Sequence, residues 1–438
     1  MRSTSRALVA AIAPLLLLGA CASQDAADPA GADGPQTRQP EATDPPGQDT
    51  AGETAEGGAD AAVTSSAGIL DGLRQPRDEE AEQEESEPEE SEQPLTITIG
   101  AAGDILPHAP VIANARINAG AGEDNYDFAP MFDDVRDLLT EPDLTLCHLE
   151  TPVSADNTGL TVPRVLVFNS PTQLADGLAS AGFDACDFAG NHAWDRGVQG
   201  LLDTQRVIEE AGMTYAGPMG EPEEAEQVVV HDVDGASVAQ LAYSYTLLNF
   251  GSPSTDVPDG APWLDRYLWL GRGADGILAD AAQARAEGAD FTVVTMHWGN
   301  EYQTEPTQQQ REIAATLLGS EDVDLILGGH AHVIQPCETI NDKFVVYGMG
   351  NFLSNQSPDT TAGALRRATQ EGLVLQVELT READGTLSSS MRYQPTRVDL
   401  DGHVIRLATP EQHAETYQRT VETLNSLGVG SCAAEPMS

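Results

Sequence analysis

The chain has 438 residues, a formal net charge of −48 and a single lysine, Lys343. So acidic a composition excludes nucleic acid and anionic lipid as partners of its surface, because both are bound through clustered Lys and Arg. The charge is not confined to one segment, since residues 94–438 alone sum to −33. The length suffices for one large domain or two ordinary ones.

The first 20 residues have the pattern of a secretory signal peptide. Arg2 and Arg6 precede an apolar run over residues 7–18, which is too short to remain in a bilayer as a spanning helix. The run ends in Leu-Gly-Ala-Cys at positions 18–21, which resembles a bacterial lipobox and implies lipidation of Cys21. We therefore expect a lipoprotein that is anchored through Cys21 at the extracellular face of the cell membrane.

The next segment, residues 21–94, is predicted to be a disordered acidic linker. It is rich in Ala, Gly, Pro, Asp, Glu, Ser and Thr, and residues 78–92 include ten acids. A segment with so little apolar surface cannot offset the entropy of ordering it, and its like charges keep it extended. We interpret it as a spacer between the membrane and the folded part.

From residue 95 on, strand-like and helical segments alternate, which predicts an α/β domain over residues 95–410 and a C-terminal tail over 411–438. Apolar or alternating runs predict strands at residues 95–104, 143–152, 183–192, 228–233, 238–243, 291–299, 324–333 and 344–352, with antiparallel strands at 372–380, 388–393 and 403–407. Helical spacing predicts helices at residues 132–139, 172–181, 198–211, 275–287 and 307–318. A loop rich in Gly, Pro and Asp occupies residues 249–262.

Several predicted strands end in a polar side chain. These residues are Asp104, Glu150, Asn191, His192, His297, His330 and His332. Because the carboxyl ends of parallel strands lie at one edge of a sheet, these side chains can meet in a single crevice. Histidine is scarce here, at nine residues in the chain, so its concentration at strand ends indicates a site. Mixed nitrogen and oxygen donors in this number suit one or two divalent ions such as Mn, Fe or Zn.

Besides Cys21, the chain has four cysteines, Cys147, Cys186, Cys337 and Cys432. An even number in an exported protein suggests disulfides, and four cysteines allow three pairings between which the sequence does not choose. No two of them are spaced as Cys-x-x-Cys, which argues against a zinc–thiolate site.

Six short motifs follow one another along the chain. They are Gly103-Asp104, Leu149-Glu-Thr-Pro152, Ala189-Gly-Asn-His192 with Asp195 and Gly197, His297-Trp-Gly-Asn-Glu-Tyr302, Gly329-His-Ala-His-Val333 and Tyr347-Gly-Met-Gly-Asn-Phe352. Together they resemble the motifs of the CapA family of poly-γ-glutamate capsule proteins, which is related to the calcineurin-like metallophosphoesterases. The resemblance covers about residues 96–352. It implies a four-layer α/β/β/α sandwich with a dinuclear metal site between the two sheets.

The resemblance also implies roles for individual residues. Asp104 and His332 would bind one metal, Asn191, His297 and His330 the second, and Glu150 would bridge the two. His192 would be the catalytic histidine outside the ligand set. Asp195 and Glu301 would orient site residues or contact the substrate, and for Glu301 an uninvolved loop acid is an equal alternative. The phosphoesterase pattern has a histidine two residues after its first aspartate, where this chain has Leu106, so we expect weak binding of the first metal.

The sequence thus supports two functional hypotheses. In the first, the protein is a membrane-anchored CapA-family lipoprotein that supports poly-γ-glutamate synthesis or export, with the capsule polymer or its synthesis machinery as partner. In the second, it is a stand-alone exported metal-dependent phosphoesterase. Both are compatible with a hydrolase. A non-catalytic binding protein has no support beyond the loop at residues 249–262.

Overall fold

The computed structural model describes residues 93–120, 125–249, 256–358, 367–428 and 430–437. The predicted signal peptide, Cys21 and nearly all of the predicted linker lie outside this range. The strands are β1 (Leu95–Leu106), β2 (Leu144–Leu149), β3 (Ala185–Asp187), β4 (Thr214–Ala216), β5 (Val229–Val233), β6 (Ala236–Ser244), β7 (Phe291–His297), β8 (Leu325–Gly329), β9 (Cys337–Ile340), β10 (Lys343–Val346), β11 (Asn351–Ser354), β12 (Glu371–Arg381), β13 (Leu387–Asp399), β14 (Val404–Leu407) and β15 (Glu435–Pro436). The α-helices are α1 (Ala109–Asn118), α2 (Arg136–Thr140), α3 (Gln173–Ala181), α4 (Gly197–Glu210), α5 (Trp269–Ala286), α6 (Gln308–Leu317) and α7 (Ala414–Leu424).

The described strands form two sheets. The first has the order β14-β13-β12-β1-β2-β3-β4, with β11 beside β1 and β15 beside β13. Strands β1 to β4 run parallel, so their carboxyl ends share one edge. The second sheet has the order β5-β6-β7-β8-β10-β9, and β6, β7, β8 and β10 are parallel.

Alternate residues along the central strands face different cores, and this alternation defines four layers. On β8, Leu325 and Leu327 pack between the sheets, whereas Ile326 faces the core beneath α5 and α6. On β2, Leu146 faces the inter-sheet core and Leu149 faces the core beneath α1 to α4. Each fully buried aliphatic side chain of this kind contributes about 1.5–3 kcal/mol. The predicted α/β/β/α sandwich is confirmed by this layering.

The structure contains a helix that was not predicted and divides one predicted strand in two. Helix α1 was not predicted, because its buried residues Val111, Ile112 and Ala115 give almost no amphipathic periodicity. The strand predicted at 344–352 is two strands, since the chain leaves the second sheet after β10 and enters the first at β11. Gly350 makes the crossing, with φ +69° and a backbone so close to Glu371 O that a Cβ would lie 2.4 Å from it.

The segment predicted as a C-terminal tail packs against the first sheet. Arg419 of α7 donates from Nε to Glu371 Oε2 over 2.8 Å, and Thr416 Oγ1 donates to Glu371 Oε1 over 2.9 Å. A disulfide joins Cys432 of this segment to Cys337 of β9. The second disulfide joins Cys147 to Cys186, which face each other on β2 and β3. No helix in the described part of the chain has the length and apolar character needed to cross a membrane.

Candidate metal centre

The polar residues predicted from the strand ends lie together at the carboxyl edges of the two sheets. Asp104 is on β1, Glu150 follows β2, and His297 ends β7. The remaining members, Asn191, His192, His330 and His332, lie in turns after β3 and β8 and not in strands as predicted. All seven are buried, and the most exposed, His192, is 6% accessible.

The site contains two groups of three ligand-type residues that share Glu150. Ligand atoms of Glu150, His297 and His330 lie within 4.8 Å of one another, as do those of Asp104, Glu150 and His332. Glu150 Oε1 is 3.8 Å from His297 Nε2 and 3.6 Å from His332 Nε2. His332 Nδ1 is 3.3 Å from Asp104 Oδ2. This grouping matches the division between two metals that the sequence predicts, and the ligand roles stay a prediction.

Several buried polar atoms at this centre have no hydrogen-bond partner among the described residues. They are Asp104 Oδ1, Glu150 Oε1 and Oε2, and His330 Nδ1. Leaving buried polar atoms unpaired costs about 1–3 kcal/mol each, and more for charged groups, so native proteins rarely retain them without a ligand. The four atoms are carboxylate oxygens and an imidazole nitrogen, which are donors that divalent cations prefer. The residues therefore fit a cation centre.

The turn after β8 places the two histidines by using unusual backbone conformations. His330 and His332 have φ values of +85° and +54°, which non-glycine residues adopt rarely. The His330 N–H donates to Asp104 Oδ2 over 3.2 Å, which joins this turn to β1. At Gly329 a Cβ would lie 2.8 Å from Asp104 Oδ1, so no larger residue fits beside the centre.

Charge and burial divide the histidines into two types. Burial lowers the pKa of His332, but the carboxylates of Glu150 and Asp104 outweigh it and raise the pKa to about 10. Burial and the neighbouring imidazoles hold the pKa values of His297 and His330 well below their usual range. His297 and His330 are therefore neutral near pH 7, which is the form that binds a cation, whereas a cation at His332 would displace the proton that Glu150 and Asp104 stabilise. Burial also raises the pKa of Glu150.

His192 lies beside the centre and is held by Asp195, a residue that the resemblance assigns to orienting the site or contacting the substrate. His192 Nδ1–H donates to Asp195 Oδ2 over 2.8 Å, and the same oxygen accepts from the Phe168 N–H over 2.6 Å. The Phe168 ring lies edge-to-face on the imidazole, at a centroid distance of 4.5 Å. His192 Nε2 has no partner among the described residues, so this nitrogen remains available for proton transfer.

Two tyrosines and one acid border the centre. The rings of Tyr245 and His330 are 4.4 Å apart, and those of Tyr302 and His332 are 5.9 Å apart. Burial and the charge of Glu301 raise the pKa of Tyr302. Glu301 itself is exposed and belongs to neither group of three. Its position at the rim is compatible with a substrate contact and does not favour a direct ligand role.

Sequence reasoning missed three residues of the site. His148 Nε2 lies 2.9 Å from His297 Nδ1, and its Nδ1 lies 2.7 Å from Asp187 Oδ1. Asn351 Oδ1 lies 3.1 Å from His332 Nδ1. A signal existed for His148, which precedes Glu150 by two residues on β2 and so shares its face. Asn351 lies in the last of the six motifs, whereas Asp187 had no signal beyond its position in the predicted third strand.

Leu106 supplies no ligand to the first metal group, at the position where the phosphoesterase pattern has a histidine. Leu106 is buried at the end of β1 and offers no donor. His108 does not replace it, because its Nδ1 lies 2.9 Å from Leu106 O and the residue belongs to neither group of three. The first group among the described residues is thus Asp104, Glu150 and His332, with Asn351 adjacent.

The chain is similar in sequence to known bacterial proteins. Residues 98–356 match the family model described as "Bacterial capsule synthesis protein PGA_cap". The chain is 28% identical to the capsule biosynthesis protein CapA of Bacillus anthracis over 40% of its own length and 41% of the relative's. It is 24% identical to the PGA biosynthesis protein CapA of Bacillus subtilis (strain 168), over 62% of its own length and 65% of the relative's. Both matches span less than two thirds of those relatives.

The chain also aligns with solved protein structures. The calcineurin-like phosphoesterase YfkN from Bacillus subtilis aligns with 76% of this chain and 99% of that chain, at 14% identity and a TM-score of 0.37.

Proposed function

This chain belongs to the bacterial capsule synthesis protein family PGA_cap, which matches it over residues 98–356, and on that premise we propose that it supports the synthesis or export of a poly-γ-glutamate-type envelope polymer through a hydrolytic metal centre. The names of two relatives, a capsule and a PGA biosynthesis protein, support the polymer as the context of its activity. The metal centre supports hydrolysis as the chemistry.

One observation carries the proposal. Glu150 is fully buried, neither of its carboxylate oxygens has a hydrogen-bond partner among the described residues, and it belongs to both groups of histidine and carboxylate donors. Without a ligand, this carboxylate would lie buried with only imidazoles 3.6–3.8 Å away to offset its charge, which is costly. Divalent cations held by the two groups would remove that cost.

The side chains that would hold the cations follow from the two groups. Asp104, Glu150 and His332 would hold one, and Glu150, His297 and His330 the other, with Asn191 Oδ1 3.0 Å from His297 Nε2. Bound divalent cations would supply Lewis-acid polarisation of the scissile group and stabilise negative charge in the transition state.

Proton transfer is the task of His192 in this proposal. Asp195 holds the proton on Nδ1 and orients the ring, so Nε2 takes a proton from the nucleophile and then returns it to the leaving group. The Phe168 ring packs against the imidazole at a centroid distance of 4.5 Å and shields that side of it from water. The arrangement follows the general pattern of a catalytic histidine oriented by a buried carboxylate.

We also propose that the protein is a lipoprotein held at the extracellular face of the membrane by Cys21. This rests on the apolar run over residues 7–18 and on the lipobox-like sequence that follows it. A Cys21→Ser chain should move from the membrane fraction to the soluble fraction of the cell envelope. If it remains with the membrane, another element anchors it.

The test of the function combines activity with complementation. The full chain carrying Cys21→Ser is loaded with Mn²⁺ and assayed on γ-linked glutamate oligomers and on an aryl phosphate ester, each beside its His192→Ala counterpart. We expect turnover of the oligomers that is lost in His192→Ala. We also expect that deletion of the gene causes a capsule defect and that a His192→Ala copy does not restore the capsule. Turnover of the aryl ester alone would favour the stand-alone phosphoesterase, and a full rescue by His192→Ala would overturn the proposed catalytic role.

A further inference from the structure

A chain of three buried side chains joins the two sheets behind the metal centre. Asp187 Oδ1 lies 2.7 Å from His148 Nδ1, and His148 Nε2 lies 2.9 Å from His297 Nδ1. His148 and Asp187 face each other on β2 and β3 of the first sheet, whereas His297 ends β7 of the second. The exposed fractions of the three are 1%, 1% and 0%, so water does not compete for these contacts.

The surroundings leave the His148 ring little freedom. A Cβ at Gly329 would lie 2.7 Å from His148 Cδ2, which shows that the ring fills the space beside that glycine. The disulfide between Cys147 and Cys186 joins the residues immediately before His148 and Asp187. Their side chains belong to the core beneath the helices, on the other face of the sheet. The disulfide therefore secures the register in which His148 meets Asp187.

We propose that His148 is a positioning residue for His297, and that with Asp187 it fixes the ring nitrogen that His297 turns toward Glu150. The inference rests on the proposed function, because it assigns to His297 the task of holding a cation. The His148 side chain is within hydrogen-bond distance of Asp187 and of His297 Nδ1. It is not proposed as a cation ligand.

The chemistry of the imidazole gives the reason. For His297 Nε2 to hold a cation, the proton of the ring must be on Nδ1, and that N–H needs a buried acceptor. With a cation held on His297 Nε2, His148 Nε2 would be that acceptor, and the proton of the His148 ring would then be on Nδ1, where Asp187 accepts it. The three residues thus define one tautomer for each ring. Partners of this kind usually change metal affinity by roughly 10- to 100-fold when they are removed.

Two substitutions separate this role from simple packing. In His148→Gln the amide reaches the place of Nε2, so it keeps an acceptor for His297 and loses the contact with Asp187. In His148→Asn the amide reaches only the place of Nδ1, so it keeps the contact with Asp187 and leaves His297 Nδ1 without an acceptor. His148→Asn should therefore lose more metal affinity, whereas His148→Gln should lose more fold stability.

The experiment is a titration of the full Cys21→Ser chain with Mn²⁺ by calorimetry, together with the urea midpoint of the cation-free protein. We expect His148→Asn to bind one of two Mn²⁺ ions roughly 10- to 100-fold more weakly, with the other unchanged. His148→Gln should stay within about threefold of the unsubstituted protein in affinity, although its midpoint is the lower of the two, because Asp187 loses its partner.

The remaining outcomes also decide the question. Unchanged affinity in His148→Asn, or equal losses in both variants that follow the midpoint, would show a structural role only and overturn the inference. If the unsubstituted protein binds no Mn²⁺, the proposed function fails instead. Should His148→Asn not fold, Asp187→Asn replaces it, since it leaves His148 in place but weakens control of its tautomer. Asp187→Asn should weaken one ion alone, and unchanged binding there would overturn the inference as well.

Discussion

His192 Nδ1 lies 2.8 Å from Asp195 Oδ2, and this contact sets the proposed catalytic histidine apart from the proposed cation ligands. The same oxygen is held by the Phe168 N–H at 2.6 Å, so the carboxylate is fixed before it orients the imidazole. His192 is further distinguished from the three histidines proposed as cation ligands because it belongs to neither group of three residues that share Glu150.

Replacing the proton-transfer group should abolish turnover without emptying the centre. His192→Ala is expected to lower kcat by roughly 10²- to 10⁴-fold, the usual contribution of a general acid or base. Asp195→Asn should give a smaller loss, since it removes control of the tautomer and leaves the ring in place. Both should retain the Mn²⁺ content of the unsubstituted protein, as measured by elemental analysis. A His192→Ala protein that turns over at the full rate would contradict the assignment.

Two glycines at the centre should differ sharply when replaced. Gly329→Ala places a Cβ 2.8 Å from Asp104 Oδ1, whereas Gly190→Ala places one 3.5 Å from the nearest Glu150 atom, an ordinary contact. We expect Gly329→Ala to destabilise the fold by roughly 1–3 kcal/mol through overpacking and to weaken Mn²⁺ binding. Gly190→Ala serves as the matched control in urea unfolding and metal titration. Equal behaviour of the two variants would argue against a tightly packed centre.

The docking of α7 depends on a buried carboxylate. Arg419 pairs with Glu371, whose side chain is 2% exposed, so Arg419→Ala leaves that charge buried without its cation. We expect a loss of about 2 kcal/mol or more in the free energy of unfolding, below the full value for a buried pair because Arg419 is partly exposed. Arg206→Ala is the control, because the partners of Arg206 on α4 are surface acids, and it should leave the free energy of unfolding nearly unchanged.

Acid should weaken the fold through His403, which lies outside the metal centre. Burial lowers its pKa from 6.5 to about 4. Its Nε2–H donates to Asn355 Oδ1 over 2.9 Å, and Asn114 donates to its Nδ1, so the ring is neutral in the folded state. Between pH 6.5 and about 4, His403 binds more protons in the unfolded chain than in the folded chain, so the free energy of unfolding rises with pH. The contribution is complete above pH 6.5 and is lost as the pH falls toward 4.

The measurement is the urea midpoint as a function of pH for the unsubstituted protein and for His403→Gln, which cannot titrate. The midpoint of His403→Gln should depend less on pH between 6.5 and about 4. Identical slopes would show that His403 does not contribute.

The positions of Asp104, Glu150 and His297 were predictable because each ends or directly follows a buried strand, and strand ends converge at a sheet edge whatever the detailed packing. His330 and His332 were found for a partly wrong reason. They were predicted as alternate residues of an extended strand, but β8 stops at Gly329 and both adopt positive φ. The turn still delivers one imidazole to each group.

What sequence could not supply was contact between the sheets. His148 lies in the predicted second strand, yet its importance depends on His297, which is 149 residues away and in the other sheet. The crossing at Gly350 was hidden for the same reason, because the run over residues 344–352 is mostly apolar and periodicity cannot show that it changes sheets. The disulfide pairing likewise needed the neighbouring positions of β2 and β3.

The most direct test of the dinuclear centre is the number of cations that the full Cys21→Ser chain holds. Elemental analysis after dialysis against saturating Mn²⁺ should give about two ions per chain, and metal titration should show weaker binding at the group of Asp104 and His332, where Leu106 supplies no donor. His332→Ala should reduce the number to about one, and Glu150→Gln should weaken both ions, because it removes the shared carboxylate. A chain that holds no Mn²⁺, or one whose content is unchanged by Glu150→Gln, would contradict the account.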